Sequence, residues 1–297
     1  MPIRFTAYPP DRPALVRVFD EGDQTYRLGR ATDCEVCIEH PSVSRFHAEL
    51  SERDSKWSLH DTGSKNGLRI NGRAALHIDF TESAWFAVGD VYCWMEFIDV
   101  AAAQAFRAQA ERRRQGSREL SLRIAAQLDV GELITQTLDV VLELSGLERG
   151  FVLIAPPGEP LRVRVCRGLA AGDLSKASFS GSAAAVDQAV DRYEAVVCCD
   201  TNDSPWLGLR PSVRLGGIRA VVCLPLQISD GARGAIYADS RKPGPPVTEL
   251  DMELIRSVAQ HASDAITASR LQHEVQQLMI SADLDEVAPR WDQLRPL

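Results

Sequence analysis

At Ala101 the chain changes character. Ala, Gln, Arg and Glu take over and no proline occurs until Pro156, whereas the first hundred residues are short apolar runs cut by turn signals. A stretch of that kind is a helix former and the region before it is not, so the chain must divide near residue 100. Before the division, strands are predicted at 15–19, 25–28, 36–38, 48–50, 56–60, 68–70 and 91–98. Glu21-Gly22-Asp23, Thr62-Gly63-Ser64, Asn66-Gly67, Asn71-Gly72 and Gly89-Asp90 separate them at the spacing of an all-β sandwich. After it, a helical connector is predicted, with a break at Gly116-Ser117.

The remainder reads as a mixed α+β domain with flanking helices. Asp129 caps a helix from Val130, with Glu132 as capping-box partner and Leu128 and Leu133 as the staple, and Gly146 ends it. Strands at 150–154 and 161–166, a helix at 183–190, and strands at 195–198, 220–227 and 234–239 follow. Thr248 and Asp251 form a second capping box, stapled by Val247 and Met252. It opens a helix whose apolar stripe is Leu250, Leu254, Val258, Ala262, Ile266, Leu271, Val275 and Leu278. A stripe that long predicts pairing with the 101–128 helix of the same or a second subunit. The expected segments are therefore 1–100, 101–128, 129–280 and a tail at 281–297.

Charge narrows the function. With 33 basic and 41 acidic side chains and a net charge of -8, the chain lacks the basic balance of a nucleic-acid binder. The basic run Arg112-Arg113-Arg114 has no interleaved aromatics and reads as a solvated helix face. Apolar runs such as 219–228 are strand-sized, far below the roughly 20 residues of a spanning helix. Residues 1–10 show no basic head followed by an apolar run, so a cytoplasmic address is expected.

Three clusters in the first hundred residues concentrate anion-binding groups at strand ends: Gly29-Arg30, Ser44-Arg45-Phe46-His47, and Asp61 to Gly67 with Lys65 and Asn66. Arg30 and Arg45 are permanent forked cations, Ser44 offers a hydroxyl, Lys65 a point charge and Asn66 an amide. Such donors suit an anion with several oxygens. The plainer reading pairs Arg30 with an acid such as Asp61 and makes Asn66-Gly67 a hairpin turn. In these residues, together with Asn71-Gly72 and Gly89-Asp90-Val91, the sequence resembles the forkhead-associated (FHA) family. The resemblance implies a non-catalytic β-sandwich that binds phosphothreonine peptides at its loop end. By position, Arg30 would contact phosphate, Ser44 would hydrogen-bond a phosphate oxygen, Arg45 would contact phosphate or peptide, and Asn66 would hold the peptide backbone. His47, flanked in this role by Gly29 and Gly67, would support the site from beneath. Leu68 departs from the family's usual threonine.

Residues 118–270 resemble the GAF family through the 128–133 helix start, the strands at 220–226 and 234–240, and the closing helix from Thr248. Members of that family enclose a pocket between sheet and helices, and many dimerise through flanking helices. No cyclic-nucleotide signature and no pigment-attaching Cys-His pair is evident, so no cofactor is predicted. Cys34 and Cys37 have metal-ligand spacing, but a zinc site needs four ligands and a second pair is missing, so no metal is predicted either. One GAF subfamily reduces free methionine sulfoxide; Cys198, Cys199 and Cys223 raise that alternative, although Cys223 sits in an apolar run. The leading expectation is a non-catalytic signalling protein. It would read a threonine-phosphorylated partner linked to a serine/threonine kinase, and sense a small molecule or form a homodimer through its GAF-like part. A second alternative is the regulatory portion of a sigma-factor-dependent transcription activator.

Overall fold

The structure, a computed structural model, describes residues 1–125, 129–169, 182–228, 231–242 and 244–281. Its first part is a two-sheet β-sandwich. The strands are β1 (Ile3–Tyr8), β2 (Leu15–Phe19), β3 (Thr25–Gly29), β4 (Val36–Cys37), β5 (Ala48–Arg53), β6 (Lys56–Asp61), β7 (Leu68–Ile70), β8 (Arg73–Ala75), β9 (His77–Phe80), β10 (Ala84–Val88) and β11 (Val91–Phe97). One sheet runs β2-β1-β11-β10-β7-β8 and the other β4-β3-β5-β6-β9. Period-2 alternation decides which side chains face inward. Phe5, Phe86, Val91 and Met95 from the first sheet meet Leu28, Leu50, Trp57 and Leu59 from the second in one core, all 0–3% exposed.

Four strands lie outside the predicted set: β1, β8, β9 and β10. The sequence of β8, Arg73-Ala74-Ala75, has no apolar alternation, and the strand exists through its backbone pairing with β7. A strand fixed by its neighbour's main chain leaves little trace in its own side chains.

Helix α1 (Val100–Ala125) opens where Asp99 Oδ1 accepts the N–H of Ala102 at 2.6 Å, and it runs unbroken through Gly116 and Ser117. The expected break is absent. An interior glycine costs a helix only about 1 kcal/mol relative to Ala, which packing against a neighbour offsets. That neighbour is the last helix.

The second part has helices α2 (Val130–Ser145), α3 (Ala183–Arg192), α4 (Pro211–Gly216) and α5 (Glu249–Ser281). Between them lies an antiparallel sheet of β12 (Arg149–Ala155), β13 (Arg162–Arg167), β14 (Val196–Cys198), β15 (Ala220–Gln227) and β16 (Arg233–Ser240). Its order is β13-β12-β16-β15-β14. Both faces of β15 are apolar. Val222, Leu224 and Leu226 pack on α2 and α5, while Val221 and Cys223 pack under α3 and α4. The sheet is thus the middle of three layers.

Both predicted helix starts form. Asp129 accepts the Glu132 N–H at 2.8 Å, and Gly146 closes α2 in the left-handed conformation at φ 67°. Leu128, the other proposed staple residue, lies outside the described residues, as do 282–297 of the expected tail. Along α5 the stripe is buried from Leu254 to Ile266, whereas Leu271 and Val275 are exposed. Its N-terminal half packs on α2, on the sheet and on α1 of the same chain.

Of the basic run, Arg112 is exposed as a solvated face would have it, whereas Arg113 and Arg114 are half-buried against α5. Arg113 pairs with Asp251 and Arg114 with Glu253 at 3.2 Å, tying α1 to the first turn of α5. Arg107 pairs with Asp20 at 2.9 Å and joins the same helix to the sandwich. Acidic side chains collect in the first turn of α5 because they favour the positive end of its dipole, and they then recruit these arginines.

Thr248 and Asp251 cap α5 reciprocally. Asp251 Oδ2 accepts from the Thr248 N–H and hydroxyl, each at 2.7 Å, and the Asp251 N–H donates to the Thr248 hydroxyl at 3.2 Å. Thr248→Ala is therefore expected to lower stability by about 1 kcal/mol, read as a reduced urea midpoint at unchanged m-value. An unchanged midpoint would show the cap to be energetically idle.

Candidate functional site

The loops after β3, before β5 and after β6 meet at one end of the sandwich, and backbone hydrogen bonds knit them. The Arg30 N–H donates to the Ser44 carbonyl at 3.0 Å and the Ala31 N–H to the Arg45 carbonyl at 3.2 Å. The Lys65 N–H donates to Ser44 Oγ at 3.0 Å. Asn66 Nδ2 donates to the Ser42 carbonyl at 2.7 Å. All five predicted binding residues, Arg30, Ser44, Arg45, Lys65 and Asn66, therefore stand on loops that touch one another.

Gly29 explains the close fit of two of these loops. A Cβ built at Gly29 would lie 2.1 Å from the Arg45 carbonyl oxygen, so only glycine lets the Ser44–Arg45 backbone lie against it. Gly67 has φ +70°, which turns the third loop back into β7.

His47 is wholly buried beneath these loops. Its Nδ1 accepts the Ser44 N–H at 3.1 Å and its Nε2 lies 3.1 Å from the Gly67 carbonyl. Those partners require the neutral ring protonated at Nε2. Burial lowers its pKa, more than the Gly67 contact and the nearby Asp61 carboxylate raise it.

Asp61 was not among the predicted site residues, yet it shapes the third loop. Its Oδ1 accepts the N–H groups of Gly63 and Ser64, each at 2.8 Å, and its Oδ2 accepts the Ser64 hydroxyl at 2.6 Å. Burial pushes this carboxyl up, but the Ser64 and Gly63 donors outweigh it and hold the group below its ordinary value. Ser42 is the other brace missed from sequence, its hydroxyl accepting the Asp90 N–H at 2.8 Å. An Asp two or three residues before Gly-Ser is an Asx-turn signal that could have marked Asp61.

Asp61 is therefore spent on its own loop and does not pair with Arg30. Among the described residues, Arg30, Arg45 and Lys65 are exposed cations with no ion-pair partner. Ser44 Oγ accepts from Lys65 and keeps its own proton to donate. The result is an uncompensated cluster of donors, fit for an anion with several acceptor oxygens.

The cysteines offer less. Cys34 Sγ donates to the Arg45 carbonyl at 3.4 Å and Cys37 Sγ to the Arg30 carbonyl at 3.8 Å, so both act as loop ties. Among the described residues, no group of three or more His, Cys, Asp or Glu side chains is placed to hold a metal ion. Burial pushes the Cys198 thiol up to about 12 and the Cys199 thiol up to about 11, and Cys223 higher still. Thiols of that kind hold few thiolates at neutral pH. On the α3 side of the second sheet, Phe151 and Tyr237 stack at 4.7 Å with a 15° interplanar angle. The Tyr237 hydroxyl donates to Asp239, which also pairs with Arg149.

Two outcomes test this construction. Gly29→Ala is expected to cost about 1–3 kcal/mol in urea unfolding, because the Ser44–Arg45 backbone must move. The depressed pKa of His47 fixes the sign of a pH effect. Below about 6.5 the unfolded ring takes up a proton that the folded one resists, so stability is full above that pH and is lost as pH falls toward the folded value. Urea midpoints at pH 7.5 and 5.5 should differ more for the wild type than for His47→Asn; equal differences would remove His47 from the account.

Comparison with known proteins gives two family matches. The FHA domain model matches residues 26–91 and the GAF domain model residues 127–267. Among solved structures, the Rv1747 FHA-1 domain of Mycobacterium tuberculosis is 28% identical, over 32% of this chain and 97% of that one, with a TM-score of 0.28. The FHA domain of the CT664 protein from Chlamydia trachomatis is 22% identical, over 32% and 99%, with a TM-score of 0.28. Human kanadaptin is 43% identical over 55 residues, which span 15% of this chain and 7% of that protein. An FHA domain implies phosphothreonine-peptide binding and a GAF domain small-molecule sensing. The chain thus carries an FHA domain followed by a GAF domain.

Proposed function

We propose that this protein is a non-catalytic signalling module that captures a threonine-phosphorylated partner at the Arg30–Ser44–Asn66 loops. The observation that carries the reading is that Arg30, Arg45 and Lys65, on three touching loops with a serine hydroxyl that keeps a proton to donate, are exposed cations with no ion-pair partner among the described residues. A phosphothreonine brings about -1.5 to -2 charges and three acceptor oxygens, which this donor set can satisfy. Arg30 contacts the phosphate, Ser44 donates to one of its oxygens, Arg45 and Lys65 add charge, and Asn66 holds peptide backbone through the part of its amide not engaged with Ser42. His47, Gly29 and Gly67 keep the loops in place.

In this reading residues 1–100 recognise the phosphopeptide, 101–128 connect, and 129–280 sense a small molecule or dimerise, in a cytoplasmic pathway with a serine/threonine kinase upstream. Leu271 and Val275, exposed on the C-terminal half of α5, supply an apolar strip that the same helix of a second copy would cover. Among the described residues, no helix is long and apolar enough to cross a membrane.

Calorimetry with a phosphothreonine peptide and its unphosphorylated twin tests the reading. Only the phosphorylated form should bind, and Arg30→Ala should cost about 2–5 kcal/mol. Binding to the unphosphorylated twin with equal affinity, or an indifferent Arg30→Ala, would refute it. Affinity should also decline as pH falls below about 6, where phosphate takes up its second proton.

A further inference from the structure

The connection between β1 and β2 lies between the phosphate-facing loops and the GAF helix α5. Ala14 forms a parallel bridge with Thr248, its N–H donating to the Val247 carbonyl at 2.8 Å and its carbonyl accepting the Glu249 N–H at 3.0 Å. The Arg12 carbonyl accepts from Cys199 Sγ at 3.7 Å, while its guanidinium pairs with Glu39 at 3.5 Å. Arg17 pairs with Glu249 at 2.8 Å. The β1–β2 connection is therefore fastened to the second domain, and through the Arg12–Glu39 pair it also touches the segment that leads into Ser42–Arg45.

Two grooves follow this seam. One, of about 500 Å³, is lined by Arg12, Arg30, Glu39, His40 and Pro41. The other, of about 330 Å³, has Arg12, Cys37 and Glu39 on one wall and Glu249, Met252 and Arg256 on the opposite wall. Because Arg12 and Glu39 line both, the grooves adjoin and run from Arg30 to Arg256.

Charge along this path is uneven. Glu39 is engaged by Arg12 and Glu249 by Arg17. Among the described residues, Arg30 and Arg256 are exposed guanidiniums with no ion-pair partner. A chain that enters at Arg30 with its phosphate meets a second uncompensated cation at Arg256, on the other domain.

We propose that the peptide-reading surface crosses the domain boundary: the chain flanking a phosphothreonine at Arg30 lies along this path, and an acidic residue on that flank pairs with Arg256 of α5. Target choice is then made jointly, the phosphate by the sandwich and the flanking carboxylate by the GAF helix. This rests on the phosphothreonine reading above. Like-signed flanks are disfavoured by the same cation, which is how electrostatic complementarity yields specificity.

The test uses the full chain and phosphothreonine peptides of alanine background in which one Glu is walked along either flank. In the wild type, one register of Glu should tighten binding about 3- to 5-fold, the size of an exposed ion pair. Arg256→Gln should erase that gain and leave the all-alanine phosphopeptide unaffected. Arg256→Glu should transfer the preference to Lys at the same register. Arg256 is exposed, so circular dichroism of both variants should match the wild type. If no register of Glu is preferred, or the preference survives Arg256→Gln, the extended surface is overturned while the Arg30 site stands. If the wild type binds no phosphopeptide, or Arg30→Ala leaves affinity unchanged, the underlying reading fails instead.

Discussion

The buried imidazole of His47 joins two loops that the chain would otherwise leave independent. One ring nitrogen accepts the Ser44 N–H and the other faces the Gly67 carbonyl, so a single side chain sets the distance between the second and third site loops. It has no solvent to fall back on, and an unmet buried donor or acceptor costs about 1–3 kcal/mol. The loops are therefore held before any ligand arrives. A site of exposed cations would otherwise spread to reduce its own repulsion. Gly29 supplies the complementary constraint on the first loop, since the Arg45 carbonyl occupies the space of a side chain there.

The same economy of contacts governs how the domains meet. The β1–β2 connection bonds to the start of α5, and α1 reaches from Asp20 of the sandwich to Asp251 and Glu253 of α5. Asp251 serves twice, capping its helix through Thr248 and receiving Arg113. These ion pairs are partly exposed, so each contributes little alone. The two that reach α5 fall within its first two turns, which fixes the seam there and places the α5 surface beside the candidate site loops.

Much of this was legible in the residues. Asn-Gly and Gly-Asp pairs marked the turns of the sandwich, and Thr248 with Asp251 marked the start of α5. The motifs Gly29-Arg30, Ser44 to His47 and Gly63 to Gly67 drew attention to the donors, because their chemistry is unusual for loops. Other features had no local trace. Strand β8 depends on its partner's backbone. The continuity of α1 through Gly116 depends on a helix 130 residues further along. Ser42 reads as an ordinary loop serine until its hydroxyl is seen to accept the Asp90 N–H, 48 positions away.

The sequence by itself determined the order of a β-sandwich and an α+β domain, since turn chemistry and apolar periodicity act over a few residues. It also determined which side chains could bind an anion, because donor type belongs to each residue alone. Tertiary structure decided which charges are free. Arg113 and Arg114 are consumed by acids on α5, Asp61 by its own loop, and among the described residues Arg30 and Arg256 have no ion-pair partner. Coulomb pairing depends on distance in space, and no rule of sequence spacing encodes a meeting between residues more than a hundred positions apart.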